Sequence, residues 1–310
     1  MAFRIDPADE GLRDSLVRIA TEETGRARAE IDDLTLTTER TIHQARKRTK
    51  RLRGLLRLVR SACPDYDAEA EALRAAARGL SRLRDRDVMI ATHDSVMETT
   101  GAERRRYAAV RAHFTRARNR VAAQQDPHAA LAAYAQELED LGNRAPDWTL
   151  AGKDRAVLEA GLARTWSRAR RAMKRARTGR DIEDMHDWRK RVKDHWYQAR
   201  LLTPLDPERI KEQARATGEL GEILGDFHDL DVYRLHLQGP EASGLDPERR
   251  AELVAMAEAR MNELKDDAFA RGSPLFDIPA DTLSAEWGAL WKRWRKAARA
   301  HAANGSECEA

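Results

Sequence analysis

The sequence predicts an all-α fold, and three observations predict it. Ala, Arg, Glu and Leu dominate a chain in which 35% of residues are charged and only 5% are aromatic, a helix-forming composition. Apolar residues recur at helical spacing through most of its length, and no stretch shows the alternation of a half-buried strand. With 310 residues the chain can bury a core as one large domain or two smaller ones.

Taken in order, the first helix runs from Asp9 past Arg28, with Leu12, Leu16, Ile19 and Ala20 at core spacing. Thr37 or Thr38 caps the second, which carries the basic run from His43 to Arg53 and closes near Ala62, before Pro64. A third covers Ala68 to about Leu83, and a fourth covers Glu103 to Val121. Pro127 sits where a first helical turn tolerates proline and opens a fifth, ending at Leu141-Gly142. The segment Asn143 to Lys153 holds Pro146 and Gly152 and little periodicity, so it reads as a linker between halves at 1–145 and 146–303. Later helices are expected from Asp154, from an Asp181 cap, from Pro207 to about Gly225, from Pro247 to about Ala270 and from Leu283 to about Ala302. Residues 304–310 read as a disordered tail.

The net charge of +4 is modest, so its distribution carries more than its sum. Cys63 and Cys308 are the only cysteines and form no CxxC pair, which excludes a disulfide framework or a cysteine zinc site. The start lacks a signal sequence, and no apolar run approaches the roughly 20 residues of a membrane span. A soluble protein of a reducing cytoplasm is expected.

The second helix is the informative one. Wound at roughly 100° per residue, it places His43, Arg46, Lys47, Lys50 and Arg57 on one side and Ile42, Ala45, Thr49, Leu52, Leu56 and Val59 on the other. No carboxylate occurs between His43 and Arg60, although solvated faces ordinarily interleave Glu and Asp with their cations. The pattern recurs. Placing His43 over His186 (186 − 43 = 143) aligns Arg46 with Arg189, Lys47 with Lys190, Arg48 with Arg191 and Lys50 with Lys193. A second pair of segments, Asp85-Arg86-Asp87-Val88 and Asp229-Leu230-Asp231-Val232, follows at nearly the same spacing (229 − 85 = 144). A weaker echo sets Arg26 against Arg168. Such ordered recurrence marks a duplicated helical unit, and two cationic faces about a pseudo-twofold axis would line one groove or channel suited to a polyanion.

Lys binds phosphate as a point charge and Arg as a planar fork. The candidate phosphate-binding set is therefore Arg26, His43, Arg46, Lys47, Lys50, Arg53, Arg57, Arg168, His186, Arg189, Lys190, Lys193, Tyr197 and Arg200. A single basic helix face is ordinarily just solvated, and it is the duplication that favours a ligand. Asp85, Asp87, Asp229 and Asp231 read as structural groups, one of each pair capping a helix and the other orienting an arginine such as Arg84, because residues two apart diverge by about 200° on a helix. Trp287, Trp291 and Trp294 read as core, and sparse aromatics elsewhere disfavour base stacking.

The runs His43 to Arg53 and His186 to Lys193, with Arg84-Asp85-Arg86-Asp87-Val88 and Asp229-Leu230-Asp231-Val232, resemble the paired signatures of the CHAD domain, the conserved histidine α-helical domain. The resemblance spans nearly the whole chain. It implies two pseudo-symmetric helical bundles with a basic central surface that binds inorganic polyphosphate, at polyphosphate granules, with no catalysis, cofactor or metal of its own. Granule-associated proteins are open as partners, and no membrane contact is implied. Asp194-His195-Trp196 stands where the first run has Arg51-Leu52-Arg53, and His228 stands in place of the Arg of the Arg-Asp pair. No ExExK strand of a fused triphosphatase is present. Two other readings compete: a metal-dependent HD-type phosphohydrolase that needs His186, His228, Asp229 and another Asp to converge, and whose His-Asp doublet does not repeat in the first half, and a protein holding nucleic acid by its backbone, which lacks a base-reading motif.

Overall fold

The computed structural model describes residues 3–124, 126–179 and 181–307, with the backbone alone for 81–87 and 302–307. Among the described residues the chain forms ten α-helices and no strand: α1 Leu12–Asp32, α2 Thr38–Leu58, α3 Tyr66–Thr100, α4 Ala108–Gln124, α5 Pro127–Arg144, α6 Asp154–Thr178, α7 Glu183–Leu202, α8 Pro207–Gln238, α9 Pro247–Leu275 and α10 Ala280–Glu307. The all-α prediction holds.

Local chemistry sets the starts. Three helices open on an Asp-Pro step in which the aspartate accepts backbone N–H bonds and proline occupies the first turn: Asp126 before α5, Asp206 before α8 and Asp246 before α9. Each such cap contributes about 1 kcal/mol. Thr37 caps α2 by accepting from the Arg40 N–H at 3.4 Å. Asp181 instead accepts from Glu183 N at 2.9 Å from one residue outside the cap of α7, which is Ile182.

Two ends differ from the sequence expectation. α3 runs on to Thr100 through Arg84-Asp85-Arg86-Asp87 and stops only where Gly101 takes φ +64. α8 runs through Asp229-Leu230-Asp231-Val232 to Gln238, ahead of Gly239-Pro240. Neither stretch contains a proline to stop the helix, and charge alone does not end one. The capping role expected for one member of each Asp pair is therefore corrected, since all four lie inside helices; the side chains of Asp85 and Asp87 fall outside the described residues. α10 continues through 304–307, where a disordered tail was expected, and 308–310 are outside the described residues. The expected linker is short and pinned: Ala145–Asp147 is a 3₁₀ turn, Trp148 is buried, and Ala151 N donates to Ala62 O at 2.8 Å.

The helices α1, α2, α3 and α5 pack on one another with α4 against α3, and α6 to α10 form the second group. Between the groups α2 packs on α7 and α6, and α3 packs on α8 and α9. With α2 on α3 and α7 on α8 as well, these four helices close a cycle. The α2–α7 crossing is tight because of Gly54. A Cβ there would stand 2.6 Å from the Tyr197 Cβ, so only glycine permits the approach. The chain start is drawn into the same region: Phe3 and Ile5 are buried, and Ile5 N donates to Leu201 O at 3.0 Å.

Candidate anion-binding site

On α2 the two predicted sides separate as periodicity requires. Ile42, Ala45, Thr49, Leu52, Leu56 and Val59 are buried, while His43 and Lys50 are exposed and Arg46, Lys47, Arg53 and Arg57 are half-buried. One arginine of the run turns inward. Arg48 is buried and donates to Glu23 at 2.8 Å and Glu30 at 2.6 Å from α1. Burial opposes its charge, but the two carboxylates prevail and hold its guanidinium above the ordinary value. Arg51 also donates to Glu23, at 2.9 Å. The carboxylates missing from α2 itself are thus supplied in part by α1, which also gives Arg26 contacts to Glu22 at 3.4 Å and Glu23 at 3.8 Å.

The crossing gathers cations that no sequence neighbourhood joins. Lys47 and Arg51 of α2 meet Arg200 of α7. Burial first, then Arg51, Arg200 and Arg48, pull the Lys47 ammonium below its usual value. Burial and Arg51 do the same to Arg200, whose guanidinium lies 4.8 Å from the Trp196 ring centroid. Among the described residues neither Lys47 nor Arg200 has an ion pair. Tyr197 is buried against Gly54 with Arg200 and Arg51 nearby, and burial pushes its phenol up to about 12.

A second cationic group lies at the opposite end of the crossing. Arg57 donates to Asp194 of α7, which also accepts from Arg191 at 3.0 Å. Burial raises the Asp194 pKa against the pull of Arg57 and Arg191. Arg53 is lowered by burial and by Arg57, and Arg168 of α6 by burial and by Arg191.

A third set sits where α7 faces α8. Arg189 is half-buried and Lys190 exposed, and among the described residues neither forms an ion pair. The Lys193 stem runs over Gly221, where a Cβ would meet its Cε at 2.8 Å, and its ammonium pairs with Glu222 at 2.5 Å. His186 is buried, unlike the exposed His43. Its Nε2 stands 3.3 Å from Asp231 Oδ2 and its ring meets His228 edge-on at 4.3 Å between centroids. Burial, with His186 and Arg189 nearby, pulls His228 down to about 4. Asp231 also accepts from Arg234, three residues on along α8, at 2.7 Å. Asp229 is half-buried.

The candidate residues therefore fall into separate groups: Lys47 and Arg200 with Arg51, Arg53 and Arg57 with Arg168, and His186 with Arg189 and Lys190. Arg51, Arg191, Arg60 and Arg164 join them; in the sequence Arg51 is signalled by its place in the basic run and Arg191 by its alignment with Arg48. Among the described residues no three or more His, Cys, Asp or Glu side chains form a group able to hold a metal ion. Among them, too, no helix is long and apolar enough to cross a membrane.

Comparison with known proteins gives two findings. The family model of the CHAD domain matches residues 18–238. The crystal structure of the CHAD domain from the plant Ricinus communis superposes with a TM-score of 0.65 at 20% identity, covering 90% of this chain and 96% of that one. No curated protein sequence matches.

Proposed function

The chain belongs to the CHAD domain family, and from that premise we propose that it binds inorganic polyphosphate through the cationic faces of α2 and α7 without turning it over, at polyphosphate granules in the cytoplasm. The observation that carries this reading is the meeting of Lys47, Arg51 and Arg200. Three like charges from two helices stand close together, so that beyond burial Arg51 and Arg200 lower the Lys47 ammonium and Arg51 lowers the Arg200 guanidinium, with Glu23 on Arg51 as the only carboxylate bonded to any of them among the described residues. Such repulsion is relieved by an anion from outside the chain. A linear polyanion can reach these groups and the Arg189 and Lys190 side chains together, with α2, α3, α7 and α8 as walls and the two halves, 1–145 and 146–303, each giving one face.

The test is competition. Long-chain polyphosphate and DNA or RNA of matched charge are titrated against the full chain at several salt concentrations. Polyphosphate should displace nucleic acid, and its affinity should fall linearly with salt on logarithmic axes as counterions are released. Equal affinity for nucleic acid would favour backbone binding instead, and metal-dependent release of orthophosphate would revive the HD-type phosphohydrolase.

A further inference from the structure

The arginine group at the Arg57 end of the crossing is a pocket in its own right. Arg57 from the last turn of α2, Arg60 just beyond its end, Arg164 and Arg168 from α6 and Arg191 from α7 surround it, and Asp194 is its carboxylate. We infer that this pocket takes the terminal phosphoryl group of a phosphate chain, in preference to the chain's interior. The inference rests on the polyphosphate reading and adds the part of the ligand that is recognised.

Charge and size both lead there. Asp194 is fully engaged, bonded to Arg57 and Arg191 together, and forms a neutralised floor. The outer three guanidinia have little or nothing. Arg60 has exposed Asp67 at 3.9 Å as its carboxylate and lies over the Tyr66 ring at 4.8 Å to the centroid, and among the described residues Arg164 and Arg168 form no ion pair. Thr165 accepts from the Gln198 amide at 3.0 Å, which leaves its O–H to donate. The cavity is about 10 Å³, room for about one water. An oxyanion can therefore seat one oxygen and remain at the mouth, among Arg60, Arg164 and Arg168. An interior phosphate brings two non-bridging oxygens and one negative charge. A terminal one brings three oxygens and, with a second pKa near about 6, a second charge, which matches three uncommitted arginines.

The experiment is calorimetric titration of the full chain and of an Arg164→Glu/Arg168→Glu variant with linear tripolyphosphate, cyclic trimetaphosphate, which has no chain end, orthophosphate and long-chain polyphosphate. The native chain should bind tripolyphosphate roughly tenfold tighter than trimetaphosphate, and in the variant the two affinities should converge. Equal affinity for the linear and cyclic compounds in the native chain overturns the inference, as does orthophosphate binding as tightly as tripolyphosphate, which would make this a free-phosphate site. Should the variant fail to give a native circular dichroism spectrum, Arg164→Gln/Arg168→Gln replaces it with the same readout. Long-chain binding with no linear-over-cyclic preference strikes this inference alone. A linear-over-cyclic preference with no long-chain binding strikes the proposed function.

Discussion

Asp194 of α7 accepts a hydrogen bond from Arg57 of α2 across the helix crossing. The offset that carries His43 to His186 also carries Arg57 to Arg200 and Arg51 to Asp194, so the counterpart of this ion pair is Arg51 beside Arg200, two cations. The halves balance their buried charge differently. Near Arg51 the carboxylate comes from α1, as Glu23, whereas near Arg57 it comes from α7 itself. On the offset that sets Arg26 against Arg168 (168 − 26 = 142), the position equivalent to Glu23 is Thr165, a buried residue that carries no charge and accepts from the Gln198 amide.

Replacing Asp194 should therefore cost more than an exposed salt bridge. Asp194→Ala leaves Arg57 without a carboxylate partner among the described residues and Arg191 with Asp187 alone at 3.0 Å, and loss of one partner from a buried pair costs about 3 kcal/mol or more. Urea unfolding monitored by tryptophan fluorescence measures it. A loss of only a few tenths would mean that Arg57 and Arg191 reach solvent freely.

Lys47 and Arg48 are adjacent, yet they should respond in opposite ways. Lys47→Glu with Arg200→Glu should weaken polyphosphate binding roughly tenfold per charge and make the salt dependence shallower by about one per cation, with stability nearly unchanged. Arg48→Ala should keep binding but cost about 2 kcal/mol, because Glu23 and Glu30 lose their fork. Binding and unfolding measured on both variants separate the roles, and equal loss of affinity in the two would contradict them.

Those adjacent residues show what was legible in the sequence. The helices were, because apolar spacing and Asp-Pro steps act locally. The cationic face of α2 was, because winding alone sorts Lys47 from Leu52. The inward turn of Arg48 was not, since Glu23 lies 25 residues earlier and reaches it only through packing of α1 on α2. The ends of α3 and α8 were missed for a related reason: dense charge at Asp85 or Asp229 resembles a loop, but only a breaker such as Gly101 stops the helix. The asymmetry at Asp194 was visible as a substitution, while its partner Arg57 required the crossing.

That crossing depends on Gly54. A methyl group at this position would meet Tyr197 at 2.6 Å, so Gly54→Ala should cost about 2 kcal/mol through overpacking and weaken polyphosphate binding by separating Lys47 from Arg200. Gly25→Ala is the control. It lies inside α1 with nothing within 4 Å of its Cβ position, and it should gain about 0.5–1 kcal/mol from helix propensity. Thermal unfolding of the two variants should shift in opposite directions; a shift of the same sign would remove the steric account of the crossing.

Acid should loosen the protein through histidines held neutral. His195 is wholly buried between the Trp166 and Trp287 rings, and burial alone pulls it down to about 3. His93, against the Tyr233 hydroxyl at 2.9 Å, is pulled down to about 4. In the unfolded chain both titrate near about 6.5. Between that value and their folded pKa the unfolded state binds more protons, so stability rises with pH there and falls as the solution is acidified below about 6.5; above it neither histidine contributes. Each proton is worth about 1.4 kcal/mol per pH unit. His195→Phe keeps an aromatic ring between the two tryptophans and removes one titrating group. The slope of unfolding free energy between about pH 6 and pH 5 should drop by nearly that amount, and an unchanged slope would mean that His195 takes up its proton within the folded state.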